Sequence, residues 1–198
     1  TMPTLVALCG VPGSGKTEYA DRLKEDNPNF TVVSLTAELE KVIQSTGKRD
    51  ITKALANVFD QIYYQLSQKH DVIYDAANLK TNHRKLILDE LRDINAIKEI
   101  HFLNVKKETA LIKCMEQQTI ITEARLSQLI NSINNNKPTI NEGWDNVINI
   151  TIPEIEITAE LQNAIDNYYK ETNIDNLLSD VIDEQDEINI NFDPADND

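Results

Sequence analysis

The sequence is poor in cysteine and aromatic residues, and it contains no long apolar run. Its two cysteines, Cys9 and Cys114, stand outside any CxxC or cysteine–histidine spacing, which argues against a zinc site and a disulfide framework. No stretch of about 18 apolar residues predicts a membrane-spanning helix. The first residues lack the basic flank of a secretion signal, so we expect a cytoplasmic protein without a membrane partner.

Basic residues are also in deficit, with 19 Lys and Arg against 33 Asp and Glu and a formal net charge of −14. The imbalance lies at one end, because residues 171–198 hold ten acidic and no basic residues, whereas residues 1–150 hold 19 acidic and 18 basic ones. A near-neutral body is compatible with a phosphate-bearing ligand. The acidic end is interpreted as a solubilising or partner-binding segment, or as a mimic of nucleic-acid charge.

Short apolar runs alternate with helical patterns through most of the chain. Five segments are predicted as strands, at residues 5–9, 30–34, 72–75, 97–105 and 147–152. Between them apolar residues recur at helical spacing. The alternation predicts an α/β fold with a five-stranded, mainly parallel sheet and helices on both faces.

A different pattern follows the last predicted strand. Residues 158–184 carry two amphipathic helical patterns, which we expect to pack on the core or on a second subunit. We therefore predict a nucleotide-binding domain at residues 1–153 and a helical, acidic C-terminal extension at residues 154–198. That extension is a candidate surface for a protein partner or for homo-oligomer formation.

Residues 10–17, Gly-Val-Pro-Gly-Ser-Gly-Lys-Thr, match GxxxxGK[ST] between the first strand and the first helix. The glycines allow main-chain amides to turn toward a phosphate at the positive end of the helix dipole. Lys16 adds a cation for the β- and γ-oxygens, and Thr17 adds a hydroxyl ligand for magnesium. We expect ATP, or another nucleoside triphosphate, with Mg²⁺ to bind at Gly10, Gly13, Ser14, Gly15, Lys16 and Thr17.

Asp75 ends the third predicted strand, which places its carboxylate at the carboxyl edge of the sheet beside the phosphate loop. Together with Lys16 it is our candidate catalytic residue, and together with Thr17 our candidate for the magnesium site. The alternative is that Asp75 only caps the loop that follows the strand.

Four stretches carry a family resemblance: LCGVPGSGKTEYADRL, VIYDAANLKTNHRKLI, IHFLNVKKETALIKCMEQQ and KPTINEGWDNVINI. Through them roughly the first 150 residues resemble the P-loop kinase domain of phage-type 5′-hydroxyl polynucleotide kinases and their zeta-toxin-like relatives. The resemblance implies a P-loop kinase fold. It also implies ATP-dependent transfer of a γ-phosphoryl group to a hydroxyl of a nucleic-acid end, a nucleotide or another small acceptor.

By that resemblance, Asp75 and Asn78 lie on the acceptor side of the site, and Arg84 holds either the following helix or a phosphate. Asn78 and Arg84 are equally compatible with a turn former and a surface base. In the stretch that corresponds to the family's lid, Gln118 and Arg125 are the tentative lid residues.

The sequence departs from the family at the acceptor and lid positions. Thr36 stands where the family usually has a catalytic Asp, and Leu39 where it has an acceptor-binding Arg. Glu38 is the nearest substitute for the missing base, or a solvent-facing helical residue. These departures leave open an alternative function, a catalytically impaired nucleotide-binding module that acts through a protein partner.

Overall fold

The computed structural model describes the backbone of residues 1–178 and the side chains of residues 1–172. Its strands are β1 (Thr4–Cys9), β2 (Thr31–Ser34), β3 (Val72–Asp75), β4 (Ile97–Asn104) and β5 (Asn146–Thr151). They form one five-stranded sheet in the order β2-β3-β1-β4-β5, and every neighbouring pair is parallel. The predicted α/β architecture is therefore confirmed, and the sheet is wholly parallel rather than mainly so.

Seven α-helices accompany the sheet in the described part of the chain. They are α1 (Lys16–Asp26), α2 (Leu35–Thr46), α3 (Ile51–Ser67), α4 (Thr81–Glu90), α5 (Lys107–Glu116), α6 (Glu123–Asn135) and α7 (Ala159–Leu178), with a short 3₁₀ helix at Ile140–Glu142. Side-chain caps fix several starts: the Ser34 hydroxyl accepts from the Ala37 amide (3.2 Å), and the Thr122 hydroxyl accepts from the Arg125 amide (3.0 Å). None of these helices has the length and apolar character needed to cross a bilayer.

The strand order places β1 at the centre of the sheet, between β3 and β4. Its residues Leu5, Ala7 and Leu8 are completely buried because neighbouring strands cover both edges and helices cover both faces. The chain crosses to β2 and β3 on one side and to β4 and β5 on the other. The carboxyl end of β1 is therefore the switch point, where open α/β sheets bind their ligands.

The C-terminal region is helical over the part that the structure describes. The first of the two helical patterns and the beginning of the second lie in one helix, α7, because no glycine or proline interrupts residues 159–178. Ile165 and Tyr169 are buried in the core, so this part of the extension packs on its own chain. Residues 179–184 and the rest of the acidic end lie outside the described residues. The domain boundary after residue 153 and an oligomer through this region stay predictions.

Candidate functional site

The phosphate loop (residues 10–17) connects β1 to α1 and has a conformation that depends on glycine. Gly13 and Gly15 have φ angles of +82° and +83°, in the left-handed region that other residues rarely adopt. Gly13 also lies against α5: a Cβ there would approach the Ala110 carbonyl oxygen to 2.4 Å and the Cys114 sulfur to 2.9 Å. The loop is therefore shaped both by its own backbone and by the helix behind it.

The Lys16 side chain turns back over the loop. Its ammonium donates to the carbonyl oxygens of Gly10, at 2.9 Å, and Val11, at 3.2 Å. Next to it, the Ser14 hydroxyl is completely buried and has no hydrogen-bond partner among the described residues. An ammonium held at the loop and an unsatisfied buried hydroxyl suit a site for an anionic ligand.

Thr17 and Asp75 meet across the open face of this loop. Asp75 is the last residue of β3, and its Oδ2 accepts a hydrogen bond from the Thr17 hydroxyl at 3.4 Å. Burial raises the pKa of Asp75 above its usual value, while Lys16 and the Thr17 hydrogen bond act in the opposite direction. A hydroxyl and a carboxylate are oxygen ligands of the kind that Mg²⁺ prefers, so these two residues fit such an ion.

These residues line a cleft of about 370 Å³. One wall is the phosphate loop and the start of α1, a second comes from the first turn of α2 and the end of β3 with the loop that follows it, and a third from the loop that joins α5 to α6. The lining residues are Pro12, Gly13, Gly15, Lys16, Thr17, Thr36, Asp75, Ala76, Ala77, Gln117 and Thr119. A larger groove of about 580 Å³ lies around Met2 and Pro3, before the start of β1, and it includes none of the phosphate-loop residues.

A second groove, of about 450 Å³, lies across the loop from the cleft and shares Gly15 with it. It is lined by Ser14, Gly15, Glu18, Arg22, Lys113 and residues 152–155. The Lys113 ammonium forms an ion pair of 3.4 Å with Glu18 and would lie 3.5 Å from a Cβ placed on Gly15. The phosphate loop is therefore open on two sides, one bordered by Asp75 and the other by Lys113.

The other predicted site residues lie outside the cleft. Glu38 is buried, and its carboxylate accepts a hydrogen bond from the Gln61 side chain at 2.9 Å. It faces α3, which corrects the expectation of a solvent-facing residue. Leu39 is also buried, so neither residue lines the acceptor side of the cleft.

Arg84 is completely buried, which corrects the expectation of a surface base. Its guanidinium forms a two-point ion pair with Glu142 (2.8 and 2.9 Å) and donates to the main-chain carbonyl oxygens of Asn78 (3.0 Å) and Asn136 (2.6 Å). These bonds commit the side chain to holding the start of α4 against the end of α6. Arg84 therefore does not reach toward a ligand.

Asn78 does not line the cleft but bonds the strand that leads into the phosphate loop. It is buried with a φ of +51°, and its side-chain amide donates to the Leu8 carbonyl oxygen at 2.7 Å, at the end of β1. Gln118 is exposed with a φ of +55°, in the loop between α5 and α6. Arg125 lies in the first turn of α6, and its guanidinium contacts the Gln128 side chain at 3.5 Å.

The structure also brings into the cleft residues that the sequence did not mark as site residues. Thr119 and Gln117 line it from the α5–α6 loop. Only their position after α5, in the stretch that corresponds to the family's lid, indicated them, since neither residue type is diagnostic of a site.

The two cysteines do not line the cleft. Burial raises the pKa of Cys9 to about 12 and that of Cys114 to about 11, so both thiols stay protonated near neutral pH.

Comparison with solved structures gives many chains of the same fold. A chain in the "Structure of the Pnkp1/Rnl/Hen1 RNA repair complex" matches with a TM-score of 0.60 and 17% identity, over 69% of this chain and 45% of that one. A gluconokinase from Sinorhizobium meliloti 1021 matches with a TM-score of 0.52 and 15% identity, over 90% and 98% of the two chains. A fungal RNA kinase matches with a TM-score of 0.51 and 17% identity, over 91% and 88%.

At these identities the matches show a shared P-loop kinase fold. This chain spans less than half of the RNA repair protein that it matches. Comparison with curated protein sequences gives no match. The family model described as "AAA domain" matches residues 5–132, well over half of the chain and including the phosphate loop, Asp75 and α1 to α5. The chain therefore belongs to the AAA domain family.

Proposed function

We propose that this protein is an ATP-dependent phosphotransferase that moves a γ-phosphoryl group to a hydroxyl group. The observation that carries the proposal is the arrangement of Lys16, Thr17 and Asp75 around one cleft, at the switch point of a parallel sheet. A loop that only turned the chain would not need an ammonium, a hydroxyl and a partly desolvated carboxylate at the same opening.

The two grooves that share Gly15 suggest how a nucleotide would lie. The phosphate chain would cross the loop amides, with its terminal phosphate in the cleft beside Thr17 and Asp75. The nucleoside would then occupy the groove on the Lys113 side. This orientation directs the γ-phosphate toward the only carboxylate among the described residues that line the cleft.

Each residue would have a defined role in transfer. Lys16 would leave the Gly10 and Val11 carbonyl oxygens to meet the β- and γ-phosphate oxygens, and Thr17 and Asp75 would hold Mg²⁺ directly or through water. The ion would offset the negative charge that develops on the phosphate oxygens. Asp75 would accept the proton of the acceptor hydroxyl as the new P–O bond forms and the bond to ADP breaks.

For the acceptor we propose a range of hydroxyl compounds and not a single substrate. The matched RNA kinase and RNA repair chains favour a nucleic-acid end or a nucleotide, and the matched gluconokinase favours a small alcohol. Thr36 lines the cleft with a neutral hydroxyl, and Leu39 is buried. The positions of Thr36 and Leu39 therefore supply neither the family's usual base nor its phosphate-binding arginine, which leaves Asp75 as the candidate base in the cleft and makes positioning and electrostatics further contributions to rate.

The test is transfer from γ-labelled ATP in magnesium buffer to a panel of 5′-hydroxyl oligonucleotides, nucleosides, nucleotides and sugar acids. We expect one class to be labelled by the native protein and labelling to fall with Lys16→Ala and with Asp75→Asn. Binding of ATP without transfer to any acceptor class would overturn the enzymatic proposal. It would support instead a nucleotide-binding module that acts through a protein partner.

A further inference from the structure

The C-terminal helix reaches the wall of the cleft although it lies outside the matched family region, which ends at residue 132. The Tyr168 hydroxyl donates to the Thr119 carbonyl oxygen at 2.7 Å, and the Tyr169 hydroxyl donates to the Leu111 carbonyl oxygen at 2.6 Å. The two rings pack edge to face, with their centroids 5.0 Å apart. Two adjacent tyrosines of α7 therefore bind two consecutive segments, Tyr169 binding α5 and Tyr168 the loop that follows α5.

The two contacts differ in what they fix. Leu111 lies inside α5, where the helix already orders its backbone. Thr119 lies in the α5–α6 loop (residues 117–122), where the preceding Gln118 has a left-handed φ of +55°. Such a conformation is sparsely populated by residues other than glycine and persists where the surroundings hold it.

Thr119 is held from both sides. Its amide donates to the Cys114 carbonyl oxygen at 2.8 Å, and its own carbonyl oxygen accepts from Tyr168. Thr119 and Gln117 line the cleft on the side of Thr17 and Asp75. Ile120, the next residue, is 63% exposed and provides little packing. The Tyr168 hydrogen bond thus secures a part of the loop that faces the cleft.

We propose that Tyr168 is a positioning residue for the ligand in the cleft, acting through Thr119 and the α5–α6 loop. This inference rests on the proposed nucleotide-binding function. In the orientation proposed above, the γ-phosphate of ATP occupies the end of the cleft that the α5–α6 loop borders, whereas the phosphates of ADP end at the amides of the phosphate loop. The α5–α6 loop therefore contributes more to binding of ATP than to binding of ADP.

The experiment compares Tyr168→Phe with Tyr169→Phe in the full chain. Each variant loses one hydroxyl and one hydrogen bond from adjacent positions of α7. We expect Tyr168→Phe to weaken binding of a non-hydrolysable ATP analogue with Mg²⁺ about three- to tenfold relative to ADP, within the range for one hydrogen bond. Tyr169→Phe should leave the ratio of the two dissociation constants unchanged.

A second measurement isolates the loop itself. Amide hydrogen exchange in residues 117–122 should become faster in Tyr168→Phe and stay unchanged in Tyr169→Phe. Equal ratios and equal exchange rates in the two variants would overturn the proposal, since a purely structural role makes the tyrosines equivalent. If the native protein binds neither nucleotide, the proposed function fails, while the exchange comparison still tests whether Tyr168 orders the loop.

Discussion

Lys16 is the residue on which phosphate binding most depends. Its ammonium now bonds two loop carbonyl oxygens, and no other lysine or arginine lines the cleft among the described residues. We expect Lys16→Ala to weaken ATP binding roughly 10- to 100-fold, the range for a lost hydrogen bond to a charged group. Calorimetric titration with ATP and Mg²⁺ measures the effect.

Lys24→Ala is the matched control, because Lys24 is an exposed lysine in the last turn of the same helix. It should bind ATP as the native protein does. Equal affinity in all three proteins would remove Lys16 from the site and with it the proposed orientation of the triphosphate.

Asp75 carries a conflict between stability and function. Because its pKa in the folded state is raised above 3.8, mainly by burial, the folded protein favours the neutral carboxyl more than the unfolded chain does. Its contribution to stability is complete below the unfolded pKa and is lost as the pH rises through the folded pKa. Asp75→Asn should therefore raise the free energy of unfolding at pH 7, and this gain should shrink toward pH 4.

The same substitution should lower phosphoryl transfer by about 100-fold or more, the usual contribution of a general base. In the native protein the rate should fall as acid protonates Asp75. The control is Asp60→Asn, on the exposed side of α3, which should change neither property. A stable, fully active Asp75→Asn protein would mean that Asp75 only caps its loop.

The sequence was sufficient to identify site residues that belong to one continuous motif or that stand at the end of a predicted strand. The phosphate loop is continuous from residue 10 to residue 17, and Asp75 was found because parallel strands end at one edge of the sheet. The contact between Tyr168 and Thr119 joins positions 49 residues apart. Neither helical period nor residue type specifies such a pair, so a single sequence did not reveal it.

At the scale of the elements, Arg84 is a buried junction between separate segments. It bonds Glu142 of the 3₁₀ helix, Asn78 in the loop after β3, and Asn136, the residue that follows α6. Of the alternatives considered for Arg84, holding the following helix is the one that these bonds support, but its partners could not be predicted, because an arginine beside two lysines and a histidine resembles a basic surface. The strand and helix positions themselves were predicted more closely, since buried runs and helical periods are local patterns.

Arg84→Met should therefore destabilise the fold by about 3–5 kcal/mol, because it leaves the Glu142 carboxylate without its buried partner. Urea unfolding measures this change. Lys85→Met, at the exposed neighbouring position of α4, should cost less than about 1 kcal/mol.

Adding Glu142→Gln to Arg84→Met should recover part of the lost stability, since the unpaired charge is then removed. If Arg84→Met unfolds at the same urea concentration as Lys85→Met, the junction does not support the fold.

For the molecule as a whole, the charge distribution decides how polyanions approach. Eight acidic residues lie beyond residue 178, namely Asp180, Asp183, Glu184, Asp186, Glu187, Asp193, Asp196 and Asp198. Changing all eight to the corresponding amides keeps the length of the chain and takes the formal net charge from −14 to −6. Because repulsion is long-ranged only at low ionic strength, its effect depends on salt.

We expect the amide variant to bind a single-stranded oligonucleotide roughly tenfold more tightly than the native chain at low salt, as measured by fluorescence anisotropy. The difference should vanish near 1 M salt, where the screening length is about 3 Å. Binding of an uncharged nucleoside is the control and should be equal in both proteins. If oligonucleotide affinity is also equal at low salt, the acidic end does not govern access of nucleic acid, and the near-neutral body alone sets it.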